Sequence, residues 1–352
     1  MPVSGTGDWP LAWGTPVGTA RVAVSPEDFQ VDERLGFAPT GDGPHLLVRI
    51  RKRGLTTQQA VQQLAGHWQV ERRAMGYAGR KDRQAVTTQW LSVPWPVNAP
   101  LAPLGRVVDQ DGQALDVIDV QRHRRKLPVG ALTGNRFTLT LRDVDAAPRD
   151  IAARLVTIAR HGVPNYFGGQ RFGRHGQNLD RALNWLAGGE RPRSRNDRSM
   201  LISAARSAMF NAVLARRIDA GDWSQPRPGD LLVLDGRGSL FAAEAAETAF
   251  NRRRAAGLRI HPTGPLPGAT NRRQPQTAAL IERESAVLQD WAAVIQALAD
   301  QRVTADRRAL RLSVAALAGW RMAPGTWRLR FELTRGAYAT MVIRELVEAV
   351  ND

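Results

Sequence analysis

The residues with the most chemical promise lie in Gly79-Arg80-Lys81-Asp82-Arg83, where one carboxylate sits among three cations. A free aspartate, with its ordinary value of about 3.9, is already ionised at neutral pH. A cation about 4 Å away adds a few kcal/mol of attraction at an effective dielectric of about 20, before desolvation. Such a carboxylate can attack an electrophilic carbon, or it can close a solvated turn. Other chemistries are narrowed by exclusion. Cysteine is absent, which removes disulfides, thiolate nucleophiles, iron–sulfur clusters and thiolate zinc. The six histidines never fall three to five residues apart and no His-Glu-x-x-His occurs, so no metal is expected. Neither a G-x-x-x-x-G-K-[ST] phosphate loop nor a G-x-S-x-G elbow is present. The glycine-rich stretch 162–173, G-V-P-N-Y-F-G-G-Q-R-F-G, is not a dinucleotide fingerprint and reads as a tight packed turn. No nicotinamide or nucleoside triphosphate is implied.

The charge points to a partner. The 352 residues carry 49 Lys and Arg against 33 Asp and Glu, a net +16, and only Lys52, Lys81 and Lys126 are lysine. Arginine suits phosphate and stacked bases, and a net charge speaks to partners rather than to fold. The cations cluster at Arg49–Arg53, Arg72–Arg73, Arg80–Arg83, Arg122–Lys126, Arg191–Arg198, Arg252–Arg254 and Arg272–Arg273. Each cluster taken alone reads as a solvated face. Together they fit a long anionic ligand held along a surface. Residues 1–10 hold no basic stretch followed by an apolar one, and no apolar run approaches the ~20 residues that span a bilayer. A soluble, cytoplasmic protein without membrane contact is expected, and its length suggests roughly two domains.

Periodicity supplies the elements that must position these residues. Phe137, Leu139 and Leu141 alternate with Thr138, Thr140 and Arg142; Trp327, Leu329, Phe331 and Leu333 alternate with Arg328, Arg330 and Glu332; Leu46, Val48 and Ile50 alternate with Leu47, Arg49 and Arg51. That rhythm predicts an antiparallel or mixed sheet with one covered face. Helical stripes join Ile202, Ala205, Met209 and Val213, and also Leu280, Val287, Trp291, Val294 and Leu298. The stretch from Thr340 to Val350 reads as a last helix, and breaks are predicted at 93–104, 221–230 and 262–275. Strands at both ends with helices between them suggest an α+β chain in which an insertion splits one domain.

Six segments in order resemble the tRNA pseudouridine synthase D (TruD) family. They are Ser25–Glu33, Tyr77–Thr87 with Gln89-Trp90, Gly134–Leu139, Gly162–Gly173, Ser203–Asn211 and Gly336–Leu346, and they cover nearly the whole chain. The resemblance implies a pseudouridine synthase core, a mixed, largely antiparallel sheet flanked by helices, in residues 1–161 plus 305–352. It implies an inserted α/β TRUD domain at 162–304, with a basic cleft between the two. It further implies isomerisation of uridine-13 in tRNA to pseudouridine by a monomer, without cofactor or metal.

Residue roles follow from the same resemblance. Asp82 matches the family's nucleophile. Arg344 matches a basic residue that pairs with it, against its plain reading as a surface helix arginine. Phe137 takes the aromatic position on the target base, against strand core. Asn135 stands near the base or the Asp82 loop, Lys81 precedes the nucleophile, and Glu33 is active-site support or a solvated strand-end carboxylate. Arg80, Arg83, Arg124, Arg125, Lys126 and Arg171 are candidates for RNA contact. One departure is visible: members often carry Lys three residues before the Pro of Pro-Glu-Asp-Phe, where this chain has Ala23, with Arg21 two residues away. Either Arg21 substitutes or that contact is absent. The competing functions are a non-catalytic RNA-binding or RNA-chaperone protein on the same scaffold, and a synthase for another RNA site.

Overall fold

The computed structural model describes residues 9–350 apart from 272, 273, 275 and 276, so the expected Arg272–Arg273 cluster lies outside the described residues. The chain forms two compact units. One holds Val17–Leu155, Val314–Gly336 and the segment from Val347; the other holds the described residues up to Pro16, Val156–Ser313 and Ala337–Leu346.

The first unit is built on a mixed, largely antiparallel sheet, as the periodicity predicts. Eight of its strands run in the order Ala315–Ala323, Thr326–Thr334, Leu132–Asp145, Phe29–Leu35, Val86–Pro94, His45–Arg53, Ala114–His123, Gly105–Val108. Neighbours are antiparallel except Phe29–Leu35 with Val86–Pro94. The alternating apolar residues fall inward: Leu139, Leu141, Leu329 and Phe331 are fully buried. The helix Thr57–His67 covers one face. Thr56 caps it, accepting from the Gln59 amide while the Gln59 side chain reaches back to the Thr56 amide. Its Ala60, Val61 and Leu64 form one core with Leu46, Val48 and Ile50 of the sheet. Leu47, on the opposite strand face, is buried too, against Ala78 and Leu127. The His45–Arg53 strand is therefore covered on both sides near its start.

The Pro-Glu-Asp-Phe segment starts the Phe29–Leu35 strand. Asp28 accepts from the Ser25 amide at 3.1 Å and pairs with Arg142 at 2.8 Å. Burial disfavours its charge, but Arg142 and Ser25 outweigh that and hold the carboxyl below its ordinary value.

The second unit is richer in helix. The 25-residue helix Arg195–Asp219, capped by Ser194, buries Ile202, Ala205, Met209 and Val213, the predicted stripe. A four-stranded sheet runs Leu240–Ala242, Leu231–Leu234, Ile260–Leu266, Asp306–Ala309. The predicted break at 262–275 thus starts too early. Pro262 lacks an amide but its carbonyl still accepts from Leu310 at 2.9 Å, so the strand runs on to Leu266. The Leu280–Leu298 stripe is two helices, Ala278–Val287 and Ala292–Asp300, parted by a 3-10 turn at Gln289–Trp291. The predicted final helix is shorter than expected. It spans Ala339–Arg344, and Glu348–Val350 is a strand paired in parallel with Thr19–Val22. Sheet pairing of three residues overrides their helical spacing.

Candidate active site

In the sheet unit, the loop between the Gly76–Tyr77 and Val86–Pro94 strands carries Asp82. Its side chain is exposed and makes no hydrogen bond or ion pair among the described residues. The backbone around it is fixed on every side. The Lys81 amide donates to Thr57 Oγ1 at 2.9 Å, and Thr57 in turn donates to Gln89 Oε1 at 2.9 Å. The Lys81 ammonium pairs with Glu33 Oε2 at 2.9 Å and donates to Asn135 Oδ1 at 2.6 Å. Arg83 Nε donates to the Gly54 carbonyl at 2.9 Å. Lys52 Nζ donates to the Asp82 carbonyl at 3.1 Å and to the Leu55 carbonyl at 2.6 Å. An exposed carboxylate therefore projects from a loop held by hydrogen bonds at the Lys81 amide and the Asp82 carbonyl.

Adjacent strands create this cluster. Glu33 lies opposite Asn135 in the antiparallel pairing of Phe29–Leu35 with Leu132–Asp145. Glu33 is a buried anion, not a solvated strand-end carboxylate; its other oxygen accepts from the Trp90 amide at 3.1 Å. Gly134, just before Asn135, must be glycine. A Cβ there would stand 2.2 Å from the Leu333 carbonyl of the next strand. Phe137 shares a strand face with Asn135. It is 6% exposed, stacked on Phe331 at 5.4 Å and edge-on to Phe29 at 6.2 Å. From sequence, Phe331 reads only as part of a strand's apolar face and Phe29 only as part of Ser25–Glu33, neither as a site residue. Arg21 pairs with Asp143 at 3.5 Å.

Arg344 belongs to the other unit. It donates to the Trp9 carbonyl and lies over the Tyr166 ring at 5.4 Å. Arg171, in the same unit, donates to Tyr338 OH at 2.8 Å and Ser203 Oγ at 3.0 Å, with Phe167 beneath it at 5.4 Å.

The TruD family model, described as tRNA pseudouridine synthase D, matches residues 11–190 and 191–346. The chain belongs to the tRNA pseudouridine synthase D family. Curated proteins of that name share 42% identity in Nitrosococcus oceani, over 99% of this chain and 96% of the relative. In Xanthomonas campestris pv. campestris the figure is 43%, over 97% and 95%. A solved chain from Methanosarcina mazei, assigned to the same synthase, superposes with a TM-score of 0.70 at 21% identity, covering 99% of this chain and 98% of that one. This last likeness shows the shared fold.

Five of the cations expected to contact RNA, Arg80, Arg83, Arg124, Arg125 and Lys126, lie in the same unit as Asp82. Arg80 and Arg125 are exposed, Arg124 pairs with Asp42 at 2.9 Å, and Lys126 donates to the Arg73 carbonyl at 2.8 Å. Lys52 was read from sequence only as one of a basic cluster. A signal was nonetheless present. In period two it falls in phase with Leu46, Val48 and Ile50, the apolar face, and it is 1% exposed. Burial lowers its ammonium from the ordinary 10.5 to about 8, with Asp82 opposing the shift and Lys81 adding to it.

Proposed function

We propose that this chain isomerises uridine-13 of tRNA to pseudouridine, with Asp82 as the nucleophilic carboxylate and no cofactor. The observation that carries the reading is the fixed loop with its one exposed, unpaired carboxylate, flanked by Lys81 tied to Glu33 and Asn135. Bonds balance without a co-reactant. The N1–C1′ bond breaks, the C5–C1′ bond forms, C5 loses a proton and N1 gains one. The uracil must leave its stack to be reached. A carboxylate on a rigid loop suits this, because a mobile one would sacrifice alignment. Arg80, Arg83, Arg124, Arg125, Lys126 and Arg171 supply positive charge for phosphates.

The test is pseudouridine mapping on a tRNA transcript incubated with purified chain. Wild type is expected to modify position 13, and Asp82→Asn to bind tRNA but leave it unmodified. Full activity in that variant would sink the role of Asp82. Modification elsewhere would assign another RNA site, and binding without any modification would assign a non-catalytic RNA-binding protein.

A further inference from the structure

Lys52 is an expensive residue. It lies in a strand interior, 1% exposed, in phase with the apolar residues Leu46, Val48 and Ile50 of the same strand. Opposite it across the sheet stand Thr87 and Leu115, neither of them titratable. Its charge is met by two backbone carbonyls, and among the described residues it has no salt bridge. One of the carbonyls belongs to Asp82. The groups acting on it electrostatically are Asp82, which favours its charge, and Lys81, which opposes it. A buried cation without a close carboxylate lowers stability. Its placement answers to something other than packing.

We propose that Lys52 is a positioning residue of the Asp82 site: its buried ammonium fixes the Asp82 carbonyl from below and supplies the field that the exposed carboxylate works in. This rests on the reading of Asp82 as the reacting group. The two neighbouring lysines divide the task. Lys81 is neutralised by Glu33 and anchors the loop through a side chain. Lys52 has no such neutralising partner, so its charge is directed at Asp82. Leu55, its other acceptor, lies just before the helix Thr57–His67, whose first residue binds the Lys81 amide. Lys52 thereby joins the strand, the helix start and the loop at one point.

The chain has three lysines, so lysine-selective ¹³C labelling gives a spectrum in which Lys52→Met assigns the Lys52 signal. In wild type that signal is expected to titrate near pH 8. Asp82→Asn keeps the carbonyl acceptor and removes only the charge; the Lys52 midpoint is expected to fall. An unmoved midpoint overturns the coupling. In single-turnover assays on tRNA, Lys52→Met is expected to lower the rate on the order of 10²-fold, as loss of one preorganised donor does, with KM within about threefold. The wild-type rate is expected to decline above pH 8 in step with the Lys52 titration. A full rate in Lys52→Met overturns the positioning role, as does a KM effect alone. If wild type itself makes no pseudouridine, the proposed function fails, while the titration in Asp82→Asn still decides whether Lys52 senses that carboxylate.

Discussion

The chain handles its cations in two ways. In the sheet unit the buried Lys81 meets Glu33, the half-buried Arg136 meets Glu332 and the exposed Arg142 meets the buried Asp28. Around Phe167 in the helical unit they meet rings and neutral acceptors. Arg308 lies 4.1 Å from the centre of the Phe167 ring and donates to Asn165 Oδ1 at 2.5 Å. Arg311 donates to His261 Nδ1 at 3.0 Å and to the Ala255 carbonyl at 2.5 Å. The first arrangement cancels charge and fixes position. The second engages the guanidinium through ring faces and uncharged hydrogen-bond acceptors. A site that must hold one reacting group still needs the first. A surface that must attract a polyanion gains from the second. Lys52 is the exception that joins them, a cation treated in the second manner inside the first region.

The comparison breaks most visibly where charges are left behind. Glu33→Gln leaves the Lys81 ammonium buried beside an amide, and urea unfolding is expected to show a loss of about 3–5 kcal/mol. Arg311→Met leaves the His261 ring and two backbone carbonyls without their donor, with Asp235 set back behind His261, for which about 1–3 kcal/mol is expected. Equal losses would mean that the two regions do not differ in kind.

A pH series sharpens the contrast. Lys52 is lowered to about 8 when folded, so the folded chain releases that proton before the unfolded one. Between about 8 and the free value near 10.4, the unfolded state binds more protons and stability rises with pH. Below about 8 the penalty is complete, roughly 3 kcal/mol. Arg308 and Arg311 are each lowered to about 10 by burial, so their contribution begins two units higher. Unfolding between pH 7 and 10 is expected to show the Lys52 rise, and Lys52→Met to flatten it. A smaller effect tests the other region. Arg171→Gln is expected to reduce tRNA affinity several-fold and lower the salt slope by about one, as loss of a phosphate contact does. An unchanged slope in filter binding would place Arg171 in packing alone.

Much of this was legible in the sequence, and the gaps have physical causes. The strands through Phe137 and Phe331 are readable because one face is buried throughout, so period two is clean. The helix through Ile202 and Met209 is readable for the same reason at period 3.6. The last strand was not, because three residues are too few to show a period, and only the partner Thr19–Val22 makes them extended. In the site, Lys81 and Asp82 are adjacent and draw notice together. Glu33 and Asn135 stand about a hundred residues apart, and only strand register sets them opposite each other. Lys52 was hidden by its neighbours: a lysine between Arg51 and Arg53 looks like surface charge until its phase is counted.

The mildest test concerns Gly79, which opens the Gly-Arg-Lys-Asp segment and does not adopt a positive φ. A Cβ at Gly79 would meet Leu132 Cδ2 at 3.6 Å and Glu33 Oε2 and Lys81 Nζ at 4.0 Å, all ordinary contacts. At Gly134 the same addition meets a backbone oxygen at 2.2 Å. If side-chain anchors rather than glycine freedom hold the Asp82 loop, Gly79→Ala should alter stability by no more than about 0.5 kcal/mol. Thermal unfolding checks this, with Gly134→Ala as the destabilised control. Activity on tRNA should then stay within about twofold of wild type. A folded, stable Gly79→Ala chain with strongly reduced turnover would show that the space above Gly79 is occupied by substrate, and that the anchors alone do not define the site.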